Sequence, residues 1–90
     1  MGAHSAWKLT RVVGNVANVL TIELLCAAQG IDLRAPLRPA AALAAVHDRI
    51  RAEVPFLDDD RPLHADIESL RRRVDDGSLV AAARAHLLVE

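Results

Sequence analysis

Val19-Leu20-Thr21-Ile22-Glu23-Leu24-Leu25-Cys26-Ala27-Ala28 carries a single strongly polar side chain, Glu23. A helix that is apolar nearly all round is normally buried on every side. Upstream, Ala6, Trp7, Val13, Val16, Ala17 and Leu20 recur at helical spacing, while Lys8, Arg11 and Asn15 fall elsewhere on the wheel. The two patterns join without a breaker, so the sequence predicts one long helix over 4–29, with Gly30 placed to end it as the left-handed residue after the last turn. Gly14 is its weak point, costing about 1 kcal/mol relative to Ala.

Outward from that helix the chain breaks into short pieces. Ile31 to Arg38 reads as a connector closed by Pro36 and Pro39. Pro39 suits the first turn of a second helix over 39–53, with Leu43, Val46, Ile50 and Val54 on its apolar face. Pro55 ends it, because the residue before a proline resists helix. Phe56 to His64 is a loop, acidic at Asp58-Asp59-Asp60. A third helix over 65–76 points Ile67, Leu70 and Val74 inward and Arg71, Arg72 and Asp75 outward. Gly77 ends it, and Ser78 is placed to cap a fourth helix over 79–88. No segment alternates with a period of two. The fold class is all-α: one long bundle helix followed by three shorter helices, residues 1–90 forming a single helical segment.

Composition bounds the partners. Net charge is −1 over 90 residues, so no overall field draws the chain to nucleic acid or an anionic membrane. The most apolar stretch, Val12 to Ala28, contains Gly14, Asn15, Asn18 and Glu23 and reads as too short and too polar to span a bilayer. The lone Cys26 excludes an internal disulfide and fits a reducing compartment, so the expected location is the cytoplasm. Trp7 and Phe56 are the only aromatic residues besides histidine, and there is no Tyr. The core must therefore be aliphatic, and three short helices could hardly enclose the apolar half of the first. The chain is expected to assemble with something larger.

The chemistry-bearing residues form no recognisable catalytic set. His64 and Asp66 lie near Asp58, Asp59 and Asp60, but without the spacing of a zinc or EF-hand site, and adjacent loop aspartates are usually solvated. Cys26 reads as a small buried apolar residue, since no activating group is near it in sequence. Glu23 is a carboxylate that needs a partner if buried; Arg34 and Arg38 are the local candidates. Arg71-Arg72-Arg73 shares its helix with Asp66, Glu68, Asp75 and Asp76 and reads as a solvated mixed-charge face rather than a nucleic-acid platform. The sequence contains no Gly-rich phosphate loop.

Three ordered stretches carry a resemblance. They are Met1-Gly2-Ala3-His4-Ser5-Ala6; then Val19 to Arg34, with Ile22-Glu23-Leu24-Leu25-Cys26-Ala27-Ala28-Gln29-Gly30-Ile31-Asp32-Leu33-Arg34 its most specific part, followed by Pro36-Leu37-Arg38; and Val54 to Leu63, with Asp66-Ile67-Glu68. In these, and over most of its length, the chain resembles the C-terminal region of bacterial histidine ammonia-lyases, of the aromatic amino acid lyase family.

The resemblance implies a parent activity, elimination of ammonia from L-histidine to give trans-urocanate in histidine degradation. It implies the electrophile 4-methylidene-imidazol-5-one, formed from an internal Ala-Ser-Gly, with a Tyr acting as base. It also implies a homotetramer with a shared central helical bundle. The chain departs from this at the chemistry: it has neither Ala-Ser-Gly nor Tyr. Met1 aligns with the last residue of the family's Glu-Asp-His-Val-Ser-Met stretch, so that glutamate falls upstream. No catalytic, cofactor-binding or metal residue is therefore expected here. The expected role is structural, in a homo-oligomer or in association with the remaining lyase segment, whether the chain is a truncated product, a split subunit or an internal start. The alternatives are a helical interaction module that joins an intact lyase, and a segment of a tyrosine or phenylalanine lyase or aminomutase.

Overall fold

The computed structural model describes residues 2–87 of the chain. Four helices follow in order: α1 (Gly2–Leu33), α2 (Ala41–Glu53), α3 (His64–Asp75) and α4 (Ser78–Arg84). The all-α class and the one-long-then-three-short order are those read from the sequence, and no strand occurs among the described residues.

Helix α1 runs straight through Gly30, which differs from the expected stop. Tertiary contacts explain the continuation. Gln29, Asp32 and their partners on α2 and the following loop bind the last turn, so a glycine with ordinary helical dihedrals is tolerated there. The helix ends instead ahead of Pro36, where residues 34–37 close with turn hydrogen bonds from the Arg34 and Ala35 amides to the Ile31 and Asp32 carbonyls (3.1 and 3.2 Å). At 32 residues α1 is long and apolar enough, by length and composition, to cross a membrane. Val12 to Ala28, the stretch that reads as too short and too polar to span, is only the most apolar part of that helix.

Helix α2 begins at Ala41 rather than at Pro39 and ends at Glu53; Val54 after it, at φ −132° and ψ 116°, is in the extended conformation imposed by Pro55. Gly77 follows α3 at φ +79°, the left-handed conformation expected of it. Ser78 does not cap α4; it is the helix's first residue, and Gly77 occupies the cap position without a side chain. The Asp76 carboxylate does the capping, accepting the Ser78 amide at 2.8 Å and the Ser78 hydroxyl as well. Helix α4 ends at Arg84, short of the expected 88, a residue outside the described region.

The helices pair off: α3 lies against α1, α4 against α2, and α2 and α3 touch both. Among the described residues the backbones of α1 and α4 stay apart, bridged by α2 and α3. The small core between them consists of Ala28, Ile50, Val54, Leu70 and Leu79, with Leu24, Leu25, Val46 and Val74 packed around it. Leu70 is fully buried, as is Thr21, whose hydroxyl donates to the Ala17 carbonyl at 2.7 Å. Leu43, expected on the apolar face of α2, is 60% exposed, because α2 turns only its Val46, Ile50 and Val54 side to the core. The radius of gyration is 15.4 Å, against about 12 Å for a compact chain of this length. The difference is α1, about 48 Å long at 1.5 Å per residue, whose residues before Gly14 are all exposed.

Candidate functional site

Three places bring side chains together. The first is a polar junction that fixes the end of α1. Arg51 on α2 donates from Nε to Asp32 Oδ2 at 2.7 Å, from Nη2 to Gln29 Oε1 at 3.3 Å and from Nη1 to the Val54 carbonyl at 3.1 Å. Its guanidinium also lies 5.8 Å from the centroid of Phe56. Gln29 in turn holds the backbone of Leu57, donating to its carbonyl at 2.7 Å and accepting its amide at 3.2 Å. The His47 Nε2 atom sits 2.9 Å from Asp32 Oδ1, on the opposite carboxylate oxygen from Arg51. Burial pushes the Asp32 carboxyl up, and the hydrogen bonds and charges of Arg51 and His47 outweigh it and hold the group below its ordinary value.

The second is a cavity of about 330 Å³ beside this junction, lined by Leu25, Cys26, Leu33, Val54, Leu57 and Leu63 among others. Cys26 is exposed there, which corrects the expectation that it is buried: none of the described helices packs over that side of α1. The third is an open groove of about 590 Å³ between α1 and α4, walled by Leu20, Leu24, Ala27, Val46, Leu79 and Val80, with Glu23 at its side. Glu23 is exposed and makes no ion pair among the described residues; Arg34 and Arg38, the expected partners, do not reach it.

The remaining residues singled out in the sequence have structural roles. His64 pairs with Glu68 at 2.9 Å on an exposed face, and Asp66 pairs with Arg61 at 2.9 Å. Among the described residues, no three His, Cys, Asp or Glu side chains converge as metal ligands would. The basic run is only partly a solvated face. Arg71 reaches from α3 to Asn18 Oδ1 at 2.7 Å and the Gly14 carbonyl at 3.3 Å on α1. Arg73 contacts Glu53 of α2 at 3.4 Å and Asp76 at 2.8 Å. Both serve as clamps between helices that sequence periodicity could not distinguish from exposed charges. The junction of Gln29, Asp32, His47 and Arg51 was likewise missed, since its members are spread over two helices.

The profile of the aromatic amino acid lyase family matches residues 1–52, more than half of the chain. The chain belongs to that family. Within it, the chain is 54% identical over 79 residues to a histidine ammonia-lyase of Anaeromyxobacter sp. (strain K), covering 88% of this chain and 16% of that protein. It is 51% identical over 82 residues to the histidine ammonia-lyase of Sorangium cellulosum, covering 91% of this chain and 16% of the relative. A Myxococcus xanthus histidine ammonia-lyase is 42% identical over 85 residues, covering 94% and 17%. The chain is thus similar to one segment of histidine ammonia-lyase and spans about a sixth of these relatives' length. No solved structure matches it.

Proposed function

We propose that the chain acts as a structural, assembly-forming segment of a cytoplasmic histidine ammonia-lyase, and that it does not catalyse the elimination by itself. The observation that supports this is the apolar length of α1. Leu9, Val12, Val13, Val16, Val19 and Leu20 are each about half exposed or more on a helix the rest of the chain does not cover. Such a surface marks a protein contact. The relatives' name supports L-histidine as the parent substrate and histidine degradation as the setting.

The residues present do not fit the family's internal electrophile. The sequence has no Ala-Ser-Gly and no Tyr, and both cavities are walled mainly by aliphatic side chains. The chain's contribution is therefore positional: α1 offers a long contact surface, and α2 to α4 brace its C-terminal half. In an experiment, the purified chain and a relative's lyase lacking the matched segment are assayed with L-histidine separately and mixed. The expected result is urocanate absorbance in the mixture and none from the chain alone. Activity of the chain alone that survives repurification overturns the proposal, as does a failure of the two to co-purify when the chain is also monomeric.

A further inference from the structure

At the elbow between α1 and α2 the connector borders a cavity of about 260 Å³. Ile31, Leu37, Pro39 and Ala44 supply its apolar wall, and Arg38, His47 and Asp48 bring polar groups to it. The Asp32 carboxylate at its edge is already taken: Arg51 holds Oδ2 at 2.7 Å, and the His47 Nε2 atom lies 2.9 Å from Oδ1. That contact orients the imidazole. With Nε2 facing a carboxylate oxygen, the neutral ring carries its proton there and keeps a lone pair on Nδ1. Nδ1 in turn lies 3.8 Å from Asp48 Oδ1, beyond hydrogen-bond distance. Two acceptors thus stand side by side with no donor between them. One ammonium seated about 2.9 Å from each satisfies both. Arg38, exposed on the connector, makes no ion pair among the described residues.

We propose that this cavity binds a small zwitterion, a molecule carrying an ammonium and a carboxylate on a short aliphatic body. The ammonium donates to His47 Nδ1 and to the Asp48 carboxylate. The ligand's carboxylate accepts from the Arg38 guanidinium, whose paired N–H groups match its two oxygens. The aliphatic body lies against the apolar wall of the cavity. The charges here balance in pairs: Asp32 is offset by Arg51, and Arg38 by Asp48. A simple anion would therefore meet Asp48 and a simple cation would meet Arg38, so a dipolar ligand alone uses both. Arg38 and Asp48 are both exposed, so water screens each charge and binding is weak, in the millimolar range.

The site stands apart from the assembly role proposed above, and its test does not depend on that role. L-valine is titrated into the full chain and followed by amide NMR, alongside isovalerate, which lacks the ammonium, and isobutylamine, which lacks the carboxylate. L-valine is expected to give saturable shifts confined to residues 31–39 and 44–48, with each analogue about fivefold weaker or more. Arg38→Gln and Asp48→Asn change exposed side chains. Each is expected to weaken L-valine about fivefold and to leave the spectrum elsewhere unchanged. Asp48→Asn should also narrow the gap between L-valine and isovalerate, which a merely structural role would not do. Arg34→Gln, on the same connector but not lining the cavity, is expected to bind as the wild type does. The absence of saturable shifts overturns the site, as does an analogue that binds as tightly as L-valine. So does an affinity that neither Arg38→Gln nor Asp48→Asn changes, or one that Arg34→Gln weakens as much as Arg38→Gln. None of these outcomes bears on whether the chain assembles.

Discussion

Arg51 holds Asp32 at 2.7 Å across the space between α1 and α2, and its other nitrogens reach Gln29, one turn earlier on α1, and the Val54 carbonyl. One guanidinium thereby ties together the end of the long helix, the end of α2 and, through Gln29, the loop at Leu57. Because the folded chain holds the Asp32 carboxyl below its ordinary value of 3.8, the pair's contribution is fully present above that value. It is lost as pH falls through the lowered folded value. Urea midpoints taken from about pH 6 down to about pH 2.5 are expected to fall at the acid end. Asp32→Asn is expected to be less stable at neutral pH and to show a shallower acid fall. An unchanged acid slope would place the acid sensitivity elsewhere.

Replacing Arg51 with Ala leaves Asp32 and Gln29 Oε1 short of a donor in a partly buried place. The expected cost is about 2–3 kcal/mol, in the range for hydrogen bonds to charged groups. Chemical denaturation at neutral pH measures it, and Arg51→Lys should recover only part, because one ammonium cannot reach three acceptors with the fork of a guanidinium.

Glycine substitutions should separate by backbone conformation. At Gly14 and Gly30 an added Cβ meets nothing within 4 Å, and neither residue has a positive φ. Gly14→Ala and Gly30→Ala are each expected to stabilise α1 by about 0.5–1 kcal/mol. Gly77→Ala also meets open space, but at φ +79° it is strained and should destabilise by about 1 kcal/mol. Thermal melts of the three variants provide the check, and a stabilised Gly77→Ala would contradict the observed turn.

Core and surface substitutions should act on different observables. Leu70→Ala removes the most deeply buried large side chain and is expected to cost about 2–5 kcal/mol of folding stability. Leu9, 63% exposed, contributes little to the fold of one copy. Leu9→Ala should leave the low-concentration melt nearly unchanged while shifting the light-scattering mass at high concentration. Leu24→Lys with Leu25→Lys should do both, since each of these residues also packs against the core.

The sequence made the helix order legible because the punctuation is strong. Pro55 and Gly77 stop helices where expected, through a forbidden and a left-handed conformation respectively. Gly30 misled because a glycine signals an end only when nothing beyond it holds the chain, and Asp32 is held by Arg51 and His47. Ser78 misled because the helix begins one residue earlier than expected: Gly77 takes the cap position, and the Ser78 amide and hydroxyl both turn to Asp76. The uncovered apolar face was legible from composition, since too few residues remain to cover α1. The exposure of Glu23 and Cys26 was not. Periodicity shows that a residue lies among apolar neighbours, but not whether a given chain supplies the side that covers it. The clamps at Arg71 and Arg73 depend on the crossing of α3 with α1 and α2, which no local pattern encodes.

Every described residue of α1 before Gly14 is exposed, and this has a kinetic consequence. An isolated helical extension is held only by propensity and by continuity with the turn below it. Amide exchange along α1 should therefore read as a gradient, fast from Gly2 to about Val13 and slow from about Thr21 onward where α3 and the core close over it. If the exposed half is covered by another chain, that gradient flattens as concentration rises. The first half of the longest helix then becomes a concentration gauge: its order reports how many chains share the solution, while the order of its second half reports only whether the chain has folded.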